Sequence, residues 1–132
     1  MKLSIHKSAR ADIGALEASD PDAAAYLLVF LEQAQADPKI LDKFTTAGSI
    51  DLSGQAVGIK WWRTGSLHVD GDLWRARLQI AEATNYRVVY GYHYPTRQLC
   101  VLAVVHRGDM DYDNLNDGLV QRIVGDWRSL ID

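Results

Sequence analysis

The side chains best suited to chemistry in this sequence are the cations in the middle of the chain. Residues 55–107 carry seven basic and three acidic side chains, while residues 1–54 and 108–132 are both net acidic. The seven cations are Lys60, Arg63, Arg75, Arg77, Arg87, Arg97 and Arg107. Six of them are arginines, whose planar guanidinium matches phosphate geometry better than an ammonium does. This pattern indicates either a phosphate-binding surface or the solvated outer faces of strands.

Motifs for other kinds of chemistry are absent from the sequence. None of the common nucleotide-binding, dinucleotide-binding, serine-hydrolase or zinc-protease motifs occurs. The four histidines stand at positions 6, 68, 93 and 106, without the spacing of metal ligands. We therefore expect neither a metal ion nor a cofactor.

Length and composition predict one globular domain, residues 1–132. The chain is 48% hydrophobic, has a formal net charge of -3, and contains a single cysteine, which cannot form an internal disulfide. Residues 1–6 lack the apolar region of a secretory signal, and no run approaches the roughly 18 apolar residues of a membrane span. We expect a cytoplasmic protein with no membrane partner. Its mild acidity argues against the coating of nucleic acid by bulk charge.

The elements that must position the cations begin with a helical hairpin. Leu3 and Ile5 alternate with polar residues as in a short strand, and Ser8 is a candidate N-cap for the helix that follows. A second helix is predicted for residues 22–35, where apolar residues recur on one stripe between two Asp-Pro breaks. Two such helices need an apolar surface to cover.

Three strands after the hairpin carry Arg75, Arg77 and Arg87, and Arg107 follows the last strand. The strands are predicted at residues 73–80, 86–94 and 99–105. The first alternates apolar and polar residues, so Arg75 and Arg77 share its polar face. Asp113 or Asn114 is expected to cap a C-terminal helix. This order predicts an α+β fold in which the helical hairpin packs on an antiparallel meander with a C-terminal helix.

The segment of residues 48–71 does not fit this scheme. It is rich in glycine, serine and threonine, and we expect an irregular insertion longer than an ordinary loop. It contains Trp61 and Trp62, whose side chains, like that of Trp74, could stack on nucleic-acid bases. Trp74 lies on the apolar face of its strand, so we expect it in the core.

The pairing of the first two meander strands decides which cations meet. If residues 80 and 86 flank the hairpin, Gln79 lies opposite Arg87. Both side chains then share the face of Arg75 and Arg77.

The strand motifs resemble those of the RelE/ParE superfamily of toxins from bacterial type II toxin-antitoxin systems. The matching strings are Trp74-Arg75-Ala76-Arg77-Leu78, Tyr86-Arg87-Val88-Val89-Tyr90, and the apolar run 99–105 that leads into His106-Arg107, with Tyr112 shortly after. The resemblance implies a RelE/ParE-like fold and a separately encoded cognate antitoxin as partner. The superfamily holds two activities, since RelE-like members cut messenger RNA in the ribosomal A site and ParE-like members poison DNA gyrase.

The resemblance implies site residues at five positions, namely Arg75, Arg77, Arg87, Arg107 and Tyr112. From these positions, His106 and the other cations of this region, we expect catalytic roles for His106, Arg107, Arg87, Arg77 and Tyr112, and RNA contacts from Arg75, Arg63 and Lys60. Attack of a 2′-hydroxyl on phosphorus needs a proton acceptor, a proton donor to the 5′-oxygen, and positive charge at the transition state. His106 and Tyr112 can transfer protons and the arginines can supply charge. Alternatively, His106 is a hydrogen-bonded residue at a strand end.

The expected function is that of a toxin acting as a ribosome-dependent mRNA endoribonuclease, which arrests translation without metal. Its targets would be the ribosome and mRNA. Two alternatives stay open, namely a ParE-like DNA gyrase poison and a member that binds its antitoxin without catalysis. Arg75 and Arg77 stand where the best-known RelE-like members have lysines, and arginine is effectively always protonated, so neither is expected to act as a general base.

Overall fold

Six strands form one sheet, and five helices pack against it. The computed structural model describes residues 1–132. In chain order the elements are β1 (Lys2–Ile5), α1 (Lys7–Ser19), α2 (Pro21–Ala36), α3 (Pro38–Leu41), β2 (Gly48–Leu52), β3 (Gln55–Trp61), α4 (Arg63–Val69), β4 (Asp72–Leu78), β5 (Tyr86–His93), β6 (Gln98–His106) and α5 (Gly118–Ile131). None of the helices has both the length and the apolar character needed to cross a membrane.

The strands lie in the order β1-β6-β5-β4-β3-β2. Strands β2 to β6 form an antiparallel meander, and β1 joins its edge parallel to β6. The predicted α+β fold, with a helical hairpin, an antiparallel meander and a C-terminal helix, is confirmed. The meander has two more strands than the sequence pattern predicts.

The helical hairpin of α1 and α2 covers one face of the sheet, which we call the hairpin face. Leu27, Phe30 and Leu31 of α2 are at most 3% exposed and belong to the larger apolar cluster. The rings of Phe30 and Phe44 stack with their centroids 5.9 Å apart, and the Tyr90 hydroxyl donates a 2.6 Å hydrogen bond to the Phe44 carbonyl oxygen. These contacts tie the segment after the hairpin to the middle of the sheet.

The second face of the sheet is covered only in part, by α5. Trp127 of this helix is buried in the same apolar cluster as Leu73 of β4. A Cβ atom at Gly91 of β5 would lie 2.5 Å from the Trp127 ring, so the close approach of helix and sheet requires glycine there. The helix thus packs where β4 begins and β5 ends, and the opposite end of this face remains open.

The prediction of an irregular insertion at residues 48–71 is wrong. β2 and β3 form a hairpin whose turn residues, Ser53 and Gly54, have φ values of 53° and 81°, and α4 follows. Val57 and Ile59 alternate with more exposed residues and are at most 2% exposed, which is the period of a half-buried strand. Frequent glycine and small polar residues hide this short pattern in the sequence.

Two helix starts also differ from prediction. α1 is capped by His6 instead of Ser8, because the His6 Nδ1 atom accepts the Ser8 N–H at 3.0 Å. α5 is capped by Asp117, whose carboxylate accepts two backbone N–H groups of the first turn at 3.0 and 3.1 Å. Asp113 and Asn114 lie before the helix. The chain there forms tight turns, in which Asp and Asn side chains bond backbone amides two residues on.

Candidate functional site

The cations meet on the open part of the second face, from adjacent strands. β3 pairs Lys60 with Arg75 of β4. On the other side of β4, continuation of the observed register places Arg77 beside Arg87 of β5. The predicted pairing of Gln79 with Arg87 is therefore two residues off. A register shift of two residues does not move any side chain to the other face of the sheet. Arg75, Arg77 and Arg87 therefore share one face, as predicted.

A cleft of about 290 Å³ opens between these side chains. It is lined by Lys60, Arg75, Arg77, Arg87, Arg107, Tyr112, Gly58, Ala76 and Gln79. We call the five basic residues of this set the cation cluster. Six of the eight site residues predicted from the sequence thus lie around one cleft, namely the cation cluster and Tyr112.

No carboxylate neutralises the cation cluster. The structure contains two contacts within 4.0 Å between oppositely charged side chains, and both lie elsewhere. They join His6 to Asp126 at 3.7 Å and Arg122 to Asp12 at 2.7 Å. Five like charges around one cleft repel one another, and a bound polyanion relieves that repulsion. The site is therefore strongly positive although the chain as a whole is acidic.

The turn between β4 and β5 holds two of the arginines in place. Arg87 Nη1 donates to the carbonyl oxygens of Thr84 at 2.8 Å and Tyr86 at 3.0 Å. Arg77 Nε donates to the Thr84 hydroxyl oxygen at 3.0 Å. These acceptors are neutral. They orient the two guanidinium groups without cancelling their charge.

The charge of Arg87 is affected both by burial and by its neighbours. Burial is the main cause that lowers the pKa of its guanidinium, and the positive charges of Arg77, Arg75 and Arg107 lower it further, while Tyr112 acts in the opposite direction. Arginine nevertheless stays cationic at neutral pH, because its ordinary pKa lies far above neutrality. An anion in the cleft would stabilise this charge.

Tyr112 lies beside the arginines in the cleft. The Arg75 Cζ atom lies 4.3 Å from the centroid of the tyrosine ring, a cation–π contact. The Tyr112 hydroxyl is buried and makes no hydrogen bond. Burial raises the pKa of this phenol, an effect that Arg75 and Arg87 oppose. At neutral pH the phenol is protonated, and it can act as a proton donor.

His106 lies on the hairpin face, so its predicted place beside the arginines is wrong. It pairs with Tyr86, and the two rings meet edge to face with their centroids 5.3 Å apart. Its Nδ1 atom accepts the Gly108 N–H at 3.1 Å. Arg87 pairs instead with Val105. Neighbouring residues of a strand point to opposite faces, so the His106 side chain points away from the face of Arg87. His106 is a hydrogen-bonded residue at a strand end, as the alternative interpretation has it.

Arg63 and the two neighbouring tryptophans also lie outside the cleft. Arg63 is the first residue of α4 and lines a separate groove beside Leu67. Trp61 pairs with Trp74, which belongs to the apolar cluster of the hairpin face. Trp62 is only 2% exposed. Neither indole is placed to stack on a base in the cleft.

Sequence reasoning missed two residues that shape the cleft, Gly58 and Trp62. Gly58 lies opposite Arg77 and leaves space beside the Arg77 side chain. Gln79, which the sequence placed on this face, also lines the cleft. The Trp62 Nε1 atom donates to the Tyr112 carbonyl oxygen at 2.9 Å. That contact joins residues 50 positions apart, so no local pattern signals it. No group of three or more His, Cys, Asp or Glu side chains is arranged to hold a metal ion.

Comparisons with known proteins give one similar structure. No protein-family model matches the sequence, and no curated protein matches it. The chain is similar to one in the crystal structure of the archaeal RelE-RelB complex from Pyrococcus horikoshii OT3. The sequence identity is 18% and the TM-score is 0.43, and the similarity covers 83% of this chain and 97% of that chain.

Proposed function

We propose that this protein is the toxin of a RelE-type toxin-antitoxin pair and that it cleaves messenger RNA in the ribosome. One observation carries the proposal. The five residues of the cation cluster converge on an open cleft, and no carboxylate lies within ion-pair distance of them. An unneutralised cluster of this size stabilises a bound polyanion, and arginine matches the geometry of phosphate oxygens.

The cation cluster fits a single strand of RNA. Its members come from β3, β4 and β5 and from the residue after β6. Adjacent strands lie about 4.8 Å apart, so the cluster extends over about 14 Å across the sheet. This length accommodates more than one phosphate of the same strand. Backbone contacts of this kind carry no base preference by themselves.

The groups of the cleft suit the second half of the cleavage reaction. The 2′-oxygen forms a bond to phosphorus while the bond from phosphorus to the 5′-oxygen breaks, and charge accumulates on the phosphate oxygens. Arg77, Arg87 and Arg107 stabilise that charge. The Tyr112 hydroxyl is buried and unpaired before RNA binds. We assign it as the proton donor to the leaving 5′-oxygen, which requires that bound RNA bring this oxygen into contact with the hydroxyl.

The cleft contains no strong base for the first half of the reaction. No histidine and no carboxylate lines it, and the ammonium group of Lys60 and the guanidinium groups of the arginines are hydrogen-bond donors without an acceptor atom. We therefore assign removal of the 2′-hydroxyl proton to solvent, with the ribosome holding the RNA in line for attack. Because the ribosome aligns the RNA for attack, cleavage on the ribosome is favoured over cleavage of free RNA.

The proposal includes an antitoxin partner. Such a partner must neutralise or cover the cation cluster to suppress activity, and acidic side chains would do so through paired contacts with guanidinium. A cytoplasmic location follows from the proposed target, the translating ribosome.

Expression of the protein without its antitoxin tests the function directly. We expect growth arrest together with mRNA cut inside translated regions, seen by mapping of 5′ ends in ribosome-bound RNA. Arg77→Ala combined with Arg87→Ala should lower cleavage by about 10²-fold or more, because both groups face the developing charge. The matched control is Arg10→Ala, an exposed arginine of α1 far from the cleft.

Two other outcomes would contradict the nuclease proposal, and a third would contradict the site assigned to it. Arrest with intact mRNA and trapped cleaved DNA would identify a gyrase poison. Tight binding of an antitoxin without any growth arrest would identify a member that has no catalytic activity. Full cleavage by the double variant would show that the cation cluster is only a solvated surface.

A further inference from the structure

The short helix α4 is fixed to the first residues of β4. The Trp62 N–H, directly before the helix, donates to the Leu73 carbonyl oxygen at 2.9 Å. The Ser66 hydroxyl accepts the Leu73 N–H at 2.9 Å and donates to the Leu73 carbonyl oxygen at 3.1 Å. Ser66 is only 1% exposed. Three hydrogen bonds thus attach α4 to the strand two residues before Arg75.

Two residues at the start of this helix, Trp62 directly before it and Thr64 within it, contact residues 107–117, which we call the Tyr112 loop. The Trp62 Nε1 atom donates to the Tyr112 carbonyl oxygen at 2.9 Å, and the two rings meet edge to face with their centroids 5.7 Å apart. The Thr64 hydroxyl donates to the Asp113 carboxylate at 2.9 Å. The helix therefore holds the backbone of Tyr112 and the side chain of the next residue.

A glycine makes this arrangement possible. A Cβ atom at Gly65 would lie 2.6 to 2.7 Å from three atoms of the Trp62 indole. Distances this short require the ring to move. Glycine is thus required at position 65 because the buried Trp62 indole packs directly against α4.

We infer that Trp62 is a positioning residue, which fixes the Tyr112 phenol against the Arg75 guanidinium in the cleft. Arg75 lies 4.3 Å from the centroid of the Tyr112 ring, and Trp62 contacts the same ring from its edge. Trp62 itself is buried and does not line the cleft. It acts through Tyr112. The inference rests on the proposed function where it is tested by the rate of RNA cleavage. Its second test, hydrogen exchange in the Tyr112 loop, does not depend on that function.

The test substitutes Trp62→Phe, which keeps an aromatic ring and removes the Nε1 donor. We expect kcat for cleavage of ribosome-bound mRNA to fall about 10-fold or more, because a small misplacement of a reacting group is costly. KM should change by less than about 3-fold, since the cation cluster is unaltered. In a Tyr112→Phe background the same substitution should change kcat by less than about 2-fold, because both act through one group.

Hydrogen exchange gives the second readout. Backbone amides of residues 109–114 should exchange faster in Trp62→Phe than in the unaltered protein. Trp61→Phe is the matched control, since it makes the same change one residue earlier on the opposite face of the sheet. Its kcat and its exchange in the Tyr112 loop should stay unchanged. Equal exchange and equal kcat in the two variants would overturn the inference.

Failure of the inference and failure of the proposed function are distinguishable. If the unaltered protein cleaves no RNA, the proposed function is wrong, and exchange in the Tyr112 loop still decides whether Trp62 positions it. If Trp62→Phe does not fold, Thr64→Val removes only the exposed bond to Asp113. That variant should also speed exchange at residues 111–114, and unchanged exchange would refute the positioning role of α4.

Discussion

The affinity of the cation cluster for RNA should depend on salt with a slope set by the number of its unpaired cations. Each phosphate that is neutralised on a single strand contributes about 0.7 to the slope of log K against log salt concentration. Five cations line the cleft without a carboxylate partner, so the expected slope is about −3.5. Raising the salt concentration from about 50 to about 200 mM should then weaken binding about 10²-fold.

The assay is fluorescence anisotropy with a short labelled RNA whose 2′-hydroxyls are methylated, so that it binds without cleavage. Arg77→Gln should reduce the slope by about 0.7, because it removes one phosphate contact. Arg77 is exposed, and its substitution should leave the fold intact. Arg10→Gln on α1 should leave the slope unchanged. A slope near zero, or an equal slope for both variants, would refute the assignment of the cluster to phosphate binding.

Three further predictions concern single side chains. Tyr112→Phe should lower cleavage by about 10²-fold or more while RNA affinity stays the same, because it removes a proton donor and keeps the ring; single-turnover cleavage and anisotropy measure the two effects. His106→Gln should leave cleavage within a few-fold of the original rate, since His106 lies on the other face of the sheet; a large loss would place this residue in the mechanism. Backbone hydrogen bonds from Val120, Asp111 and Leu119 hold the pKa of Asp117 below its ordinary value of 3.8. The stability that they provide is present above that value and is lost as pH falls through the lower pKa of the folded state, so Asp117→Asn should flatten the acid limb of a thermal-stability profile.

The sequence was sufficient to predict the helices and strands whose side chains repeat with a clear period. The apolar stripe of α2 and the alternation in β4 survive in the structure almost as predicted. β3 was missed although Val57 and Ile59 alternate with polar and small residues, because the surrounding glycines lower the apparent strand propensity. α4 has only seven residues, including a glycine. Its stability comes from the bonds of Ser66 to β4 and not from local preference.

Local period alone placed Arg75 and Arg77 on one face, because successive side chains of a strand alternate. Only the pairing of strands decided which other groups join them. The register of β5 with β6 set Arg87 beside Val105, and this excluded His106 from the cleft despite its neighbour Arg107 in the sequence. Contacts between distant segments depend on packing that no local pattern encodes. The position of Tyr112 is such a case, because its carbonyl oxygen accepts a hydrogen bond from the Trp62 indole, 50 residues away in the sequence.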